Sequence, residues 1–168
     1  METSVLSEEQ KRQWKEDGYI VLKGALSPEE AQNLTAVVDE MYQELLQKPD
    51  VKPDAVLDRR NVMEDKDIFV ELIDHPVTFP IVLELLGPYI QLSMSEVIVR
   101  PPNPQDKGYL HTDGGQAMRQ LRMGEGSLPL QIKLHYFLTD LDAPDSGNFT
   151  VVPGSHNTPF PENGFEEG

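Results

Sequence analysis

Residues 128–139 alternate between an apolar side and a largely polar side, and this alternation constrains the fold more than any other feature of the chain. Successive side chains of a β-strand point to opposite faces, so the run predicts a strand with two different faces. Such strands are typical of antiparallel sheets. The apolar side comprises Leu128, Leu130, Ile132, Leu134, Tyr136 and Leu138, and the other comprises Gln131, Lys133, His135, Phe137 and Thr139. The alternation alone leaves open which face lies inside.

The first part of the chain predicts helices. Ser7 with Gln10 three residues later has the form of a capping box, which predicts a helix from about Ser7 to Glu16 that ends at Asp17-Gly18. Ser27-Pro28-Glu29-Glu30 combines an N-cap, a proline at the first helical position and a glutamate at the third, so a second helix begins there. Its apolar residues recur at helical spacing and predict one face packed on a core: Leu34, Val37, Val38, Met41 and Leu45.

The middle of the chain is less regular. Residues 49–67 hold two prolines and many charges without periodicity, which predicts a long irregular connection. A third helical stretch is predicted around Ile68 to Leu86, split by Pro76 and Pro80. Short β-rich runs occur at 19–22, 91–99 and 148–154. Helices followed by antiparallel strands predict an α+β fold in which the helices brace a β-sandwich or jelly roll.

Composition narrows the class of protein. The 168 residues, 38% of them hydrophobic, suit one domain over 1–168. Fourteen Lys+Arg against 29 Asp+Glu give a net charge of -15, which excludes the basic surface that nucleic-acid binding requires. The N-terminus is charged and no apolar stretch approaches about 18 residues, so we expect a soluble, cytoplasmic protein without a membrane partner. Without cysteine, a metal must be held by His, Asp or Glu.

His111 and Asp113 stand two positions apart in the stretch YLHTDGG. In an extended segment alternate residues point to the same side, so both side chains can reach one ion. An imidazole and a carboxylate are two of the ligands in the facial triad that holds Fe(II) and leaves the opposite face open. Gly114-Gly115 removes bulk beside that face. The alternative is a surface hydrogen bond between the two side chains.

Five motifs occur in an order that is informative together. The first motif is EDGYIVLKGALSPEEAQNL, which begins at Glu16. The others are RPP at residues 100–102, HTD at 111–113, LTDLD at 138–142 and PGSH at 153–156. In this order they resemble the phytanoyl-CoA dioxygenase family of Fe(II)- and 2-oxoglutarate-dependent oxygenases. The resemblance implies a double-stranded β-helix of the jelly-roll or cupin type, braced by N-terminal helices.

The resemblance also implies roles for particular residues. His111 and Asp113 match the positions that ligate iron in the family, whereas the third ligand and an arginine for 2-oxoglutarate usually follow tens of residues after PGSH. The chain ends at Gly168, so we expect it to lack the C-terminal strands and to be a fragment of a longer protein. His156 is the alternative third ligand, although PGSH is also typical of a turn in which the imidazole bonds backbone groups.

The expected chemistry is hydroxylation of a C–H bond in a small-molecule substrate, with Fe(II), 2-oxoglutarate and O2. Tyr136 matches a family position near the cosubstrate, and Gln131 and Lys133 are candidates to contact that anion if the polar face lines the barrel. Asp113 stands where related halogenases carry a small residue, which favours hydroxylation. Two alternatives remain: a noncatalytic binding or scaffold protein, and a cupin-like enzyme that uses another divalent metal. The substrate and the oligomeric state stay open.

Overall fold

The structure is a computed structural model that describes residues 5–103, 105, 108, 110–111, 113, 129–144 and 146–157. These residues fall into two compact units. Unit 1 takes its residues from 1–22, 104–129 and 149–168, and unit 2 takes them from 23–103 and 130–148. Each unit therefore joins segments that are distant in sequence. One domain over the whole chain stays a prediction.

Unit 1 contains helix α1, Glu8–Asp17. The predicted capping box is present, since the Gln10 backbone N–H donates to Ser7 Oγ at 3.2 Å and the Ser7 N–H donates to Gln10 Oε1 at 2.9 Å. Gly18 ends the helix in the left-handed conformation, with φ +83°, and its N–H donates to the Trp14 carbonyl at 3.0 Å. The predicted start and end of α1 are confirmed.

Unit 2 is built on helix α2, Pro28–Leu46, which begins at the predicted Ser27 N-cap. The Ser27 N–H donates to Glu30 Oε2 at 2.7 Å and completes a second capping box. The apolar stripe faces a core, as the spacing predicts. Six residues form the buried part of that core: Leu34, Val38, Met41, Leu57, Val62 and Phe69. Burying one such large side chain contributes about 1.5–3 kcal/mol to stability, so this cluster holds unit 2 together.

The sheet of unit 2 has two antiparallel strands, β1 (Leu57–Arg60) and β2 (Glu96–Val99). Leu57 pairs with Val99 and Arg60 pairs with Glu96. Leu57 is buried in the core, and Val97 and Val99 of β2 pack against it. The prediction of an irregular connection over 49–67 was wrong in this part. A strand of sequence LDRR carries little apolar character, and its pairing partner lies nearly forty residues away.

The third helical stretch is two helices. A 3-10 turn at Val62–Glu64 is followed by a 3-10 helix at Asp67–Leu72 and by α3, Phe79–Leu86. The predicted break occurs before α3, but Pro80 lies inside its first turn, where the missing N–H has no helical partner to lose. Pro80 therefore starts a helix instead of splitting one. No helix in the described ranges is long and apolar enough to cross a membrane.

The predicted jelly roll is not seen in the described part of the chain, where mixed helix and a two-stranded sheet occur. Residues 131–138 belong to no strand, and the described runs 19–22 and 148–154 likewise form none. Alternation sets which side chains share a face, whereas a strand also needs a partner for its backbone groups. Burial follows the alternation only in part. Leu138 packs against the core and Ile132 and Tyr136 are half-buried, but Leu130 and Leu134 of the same side are exposed, and Lys133 of the other side is half-buried.

Candidate metal centre

The two residues of the HxD pair converge in unit 1. His111 Nε2 lies 3.4 Å from Asp113 Oδ1, and the side chains are 49% and 40% exposed. Gly108, three residues before His111, has φ +66°, a conformation that glycine adopts without strain. The pair is partly exposed, and the 3.4 Å separation fits both a direct contact between the two side chains and two ligands of one ion. Gly114-Gly115 lies outside the described residues.

The donor set fits two positions of an iron site. Donor atoms that bind one ion at about 2.1 Å and at right angles lie about 3 Å apart, close to the separation seen here. A neutral imidazole and a carboxylate suit Fe(II), and partial exposure leaves a route for the ion. Among the described residues no group of three His, Asp or Glu side chains is arranged to hold a metal. A third ligand therefore stays a prediction.

The structure places His156 at the C-terminal end of α1. Its Nε2 lies 3.2 Å from the Lys15 carbonyl oxygen, and a carbonyl only accepts, so Nε2 carries the proton and donates. Residues Ser155–Asn157 form a 3-10 turn, in agreement with the turn that PGSH predicts. The bonded carbonyl, however, belongs to a residue 141 positions earlier. No local pattern of PGSH could have indicated that partner.

The predicted cosubstrate residues lie in unit 2 and differ in their surroundings. Lys133 Nζ is 3.5 Å from Glu96 Oε1, and both side chains are mostly buried. The Tyr136 hydroxyl is 2.8 Å from Thr78 Oγ1, and burial raises the pKa of Tyr136. Gln131 is exposed. Lys133 therefore has a carboxylate partner inside the protein, and Tyr136 is held against the residue that begins α3.

His75 is a polar residue whose burial and partners the sequence did not reveal. It is buried, and Nδ1 accepts the Val77 N–H at 3.3 Å while Nε2 lies 3.3 Å from Glu30 Oε1. Its ring meets the Tyr136 ring edge-on at 6.2 Å. Hydrogen bonding with Ser27, together with the His75 contact, holds the pKa of Glu30 below its ordinary value. His75 thus ties the start of α2 to the turn before α3.

A groove of about 220 Å³ lies beside His75. One wall comes from the first turns of α2 and the other from the 3-10 helix at 67–72. Its lining residues are Glu30, Asn33, Leu34, Ile68, Glu71, Leu72, His75 and Pro76. The groove belongs to unit 2, whereas the HxD pair belongs to unit 1.

Comparison with known families assigns the chain to a family. The model of the family described as Phytanoyl-CoA dioxygenase (PhyH) matches residues 14–167, which is nearly the whole sequence. The chain belongs to the phytanoyl-CoA dioxygenase family. This confirms the resemblance seen in the DGY, HTD and PGSH blocks. No curated protein and no solved structure matches the chain.

Membership defines the general chemistry. Proteins of this family are Fe(II)- and 2-oxoglutarate-dependent oxygenases, and the matched range contains the HxD pair as well as Lys133, Tyr136 and His156. The family implies a cupin-like fold, and the mixed helix and two-stranded sheet of the described residues are compatible with the α+β class.

Proposed function

We propose that the protein is a non-haem Fe(II)- and 2-oxoglutarate-dependent dioxygenase that hydroxylates a C–H bond of a small molecule. The overall reaction converts substrate, 2-oxoglutarate and O2 into hydroxylated product, succinate and CO2. The observation that carries the proposal is the convergence of His111 Nε2 and Asp113 Oδ1 to 3.4 Å within a chain of this family. Iron, when bound, supplies the oxygen and redox chemistry that no amino-acid side chain provides.

His111 and Asp113 are proposed as two of the iron ligands. Neutral His111 offers a lone pair on Nε2, and Asp113 offers a carboxylate that offsets part of the positive charge of the ion. Both side chains are partly exposed, so the ion has a path from solvent. The third ligand is proposed to come from outside the described residues, since these contain no group of three suitable side chains.

Asp113 also bears on the type of reaction. A carboxylate at this position fills the coordination site that a halide would need, so hydroxylation is proposed over halogenation. Chlorinated product from the unmodified protein in chloride buffer would contradict this choice. A complete absence of halogenated product, with hydroxylated product present, supports it.

Lys133, Gln131 and Tyr136 are proposed to contact 2-oxoglutarate. Lys133 is the cation among them, and an ammonium group suits the carboxylate of a dianion. Its present partner is Glu96, so binding of an anion would have to exchange one carboxylate for another. A rise in the KM for 2-oxoglutarate in Lys133→Gln, with kcat nearly unchanged, would support a binding role.

The test uses protein expressed from the full reading frame that contains these 168 residues, purified without oxygen. Fe(II), 2-oxoglutarate and O2 are added with a panel of acyl-CoA esters, free acids and amino acids, and succinate and product masses are measured. We expect substrate-dependent succinate release and a product 16 mass units heavier, because one oxygen atom is inserted. Absence of both across the panel, with Fe(II) demonstrably bound, would contradict the proposal.

A further inference from the structure

A turn from the C-terminal part of the chain docks on the end of α1. The Gly154 N–H donates to the Asp17 carbonyl at 3.0 Å, His156 Nε2 donates to the Lys15 carbonyl at 3.2 Å, and Asn157 Nδ2 lies 3.4 Å from that same oxygen. The last carbonyls of a helix have no partner within it. We name these contacts, together with the packing of His156 on Gly18, the clasp.

Two features of the structure require glycine at position 18. Its φ of +83° is a conformation that residues with a side chain rarely adopt. A Cβ built on it would lie 2.3 Å from His156 Nδ1 and 2.6 Å from Cγ, far inside van der Waals contact. The imidazole thus occupies the space that any other residue at position 18 would fill. The Asp17-Gly18 end of α1 and the PGSH turn therefore pack directly against each other.

The clasp and the HxD pair belong to the same compact unit. Unit 1 joins α1, the described residues around His111 and Asp113, and residues 149–157. None of the ten residues of α1 is buried, although Trp14 is half-buried, so contacts at the ends of this helix help to hold it in place. The clasp is the set of polar contacts that fixes its C-terminal end to a remote segment.

We infer that His156 is a positioning residue for the iron site: it holds the frame of unit 1 by donating to the end of α1, and it does not ligate the metal. This inference rests on the proposed function, because it requires that His111 and Asp113 bind the ion. Groups that orient metal ligands from outside the coordination sphere typically change metal affinity by about 10–100-fold when removed.

The experiment measures Mn(II) affinity of the full-length protein by electron paramagnetic resonance, with melting temperature as a second readout. The His156→Gln variant keeps an N–H donor near the position of Nε2, whereas His156→Ala removes it. Gly18→Ala introduces the clash with the imidazole. Gly24→Ala is its matched control, because Gly24 also has positive φ, +68°, but no atom lies within 4 Å of an added Cβ.

We expect Mn(II) dissociation constants to rise by about tenfold in His156→Ala and Gly18→Ala and to stay near the wild-type value in His156→Gln and Gly24→Ala. The double variant of Gly18 and His156 should bind no more weakly than either single variant, since both remove the same contact. Equal loss of binding in His156→Gln and His156→Ala would overturn the inference and make His156 a ligand.

Two further outcomes would also overturn it. If melting temperatures fall while all dissociation constants stay unchanged, the clasp supports the fold alone. If wild-type protein binds no Mn(II) at all, the proposed iron site itself is wrong, and the positioning role is lost with it. The first of these outcomes leaves the proposed function intact, so the two failures are distinguishable.

Discussion

The two compact units hold their helices by different means. Helix α2 of unit 2 buries Leu34, Val38 and Met41 in an apolar core, whereas α1 of unit 1 buries none of its ten residues. Both helices begin with the same capping box. The shared cap shows that local sequence can start a helix whether or not the helix is buried. The different burial of α1 and α2 shows that tertiary contacts decide how much each helix contributes to the stability of the protein.

The buried apolar core and the HxD pair lie in different units. The core of unit 2 is apolar and has no part in the proposed metal site, while the convergent donor atoms of unit 1 are partly exposed. We therefore expect substitutions in the apolar core of unit 2 to lower the free energy of unfolding, and substitutions of the HxD pair to remove activity at little cost in stability.

The largest expected effect concerns the HxD pair. His111→Ala and Asp113→Ala should each lower kcat/KM by at least about 100-fold, because each removes a direct bond to the ion and the geometry that the bond imposes. Succinate formation and melting temperature are measured together. The control is the variant Asp140→Ala, which should keep full activity, because Asp140 is an exposed residue of unit 2 with no proposed role in catalysis. Full activity in Asp113→Ala would mean that the ligands have been misidentified.

The second prediction concerns the apolar core. Leu34→Ala should lower the free energy of unfolding by about 2–5 kcal/mol, since it removes a side chain that is only 3% exposed and leaves a cavity. Denaturant titration measures the change. Val56→Ala, at a side chain 46% exposed, should change it by less than about 0.5 kcal/mol. Similar losses in the two variants would contradict the assignment of the core.

The helix starts could be predicted because their signals are local. A capping box spans four residues, and Ser7 and Ser27 lie at the positions where α1 and α2 begin. The family could also be predicted, because its motifs are short and occur in a fixed order. Burial of the α2 stripe followed from spacing alone, since only one face of a helix carries enough apolar area to pack.

The failures share a different cause. Strand β1 consists of LDRR and is defined by pairing with β2, which the composition of four residues does not reveal. His75 and His156 are bound to Glu30 and to Lys15, 45 and 141 positions away, so only the folded chain brings each pair together. Pairing of residues 128–139 into a jelly roll likewise depends on partners elsewhere, and Leu128 lies outside the described residues. Tertiary contact, not propensity, decided these cases.

The third prediction compares the two caps directly. Ser27→Ala should lower the free energy of unfolding by about 1 kcal/mol, the ordinary value for loss of an N-cap. Ser7→Ala should cost less in global unfolding, because α1 buries no residue and its first turn can fray locally. Denaturant titration measures the global change and hydrogen exchange the local one. An equal global cost at both caps would show that α1 is as firmly coupled to the fold as α2.

The smallest expected effect is a dependence on pH at the cap of α2. Hydrogen bonding with Ser27, and then the contact with His75, lowers the pKa of Glu30 in the folded protein. A carboxyl group with a lowered folded pKa stabilises the protein above its unfolded pKa, near 4.5, and this contribution disappears as the pH falls through the folded value. The stability difference between wild type and Glu30→Gln should therefore be present at pH 6 and shrink below pH about 4.5. Gln10 fills the same place in the cap of α1 and does not titrate, so Gln10→Ala should show a difference that is constant over this range. A Glu30→Gln difference that is equally constant would mean that charge on Glu30 contributes nothing to the cap.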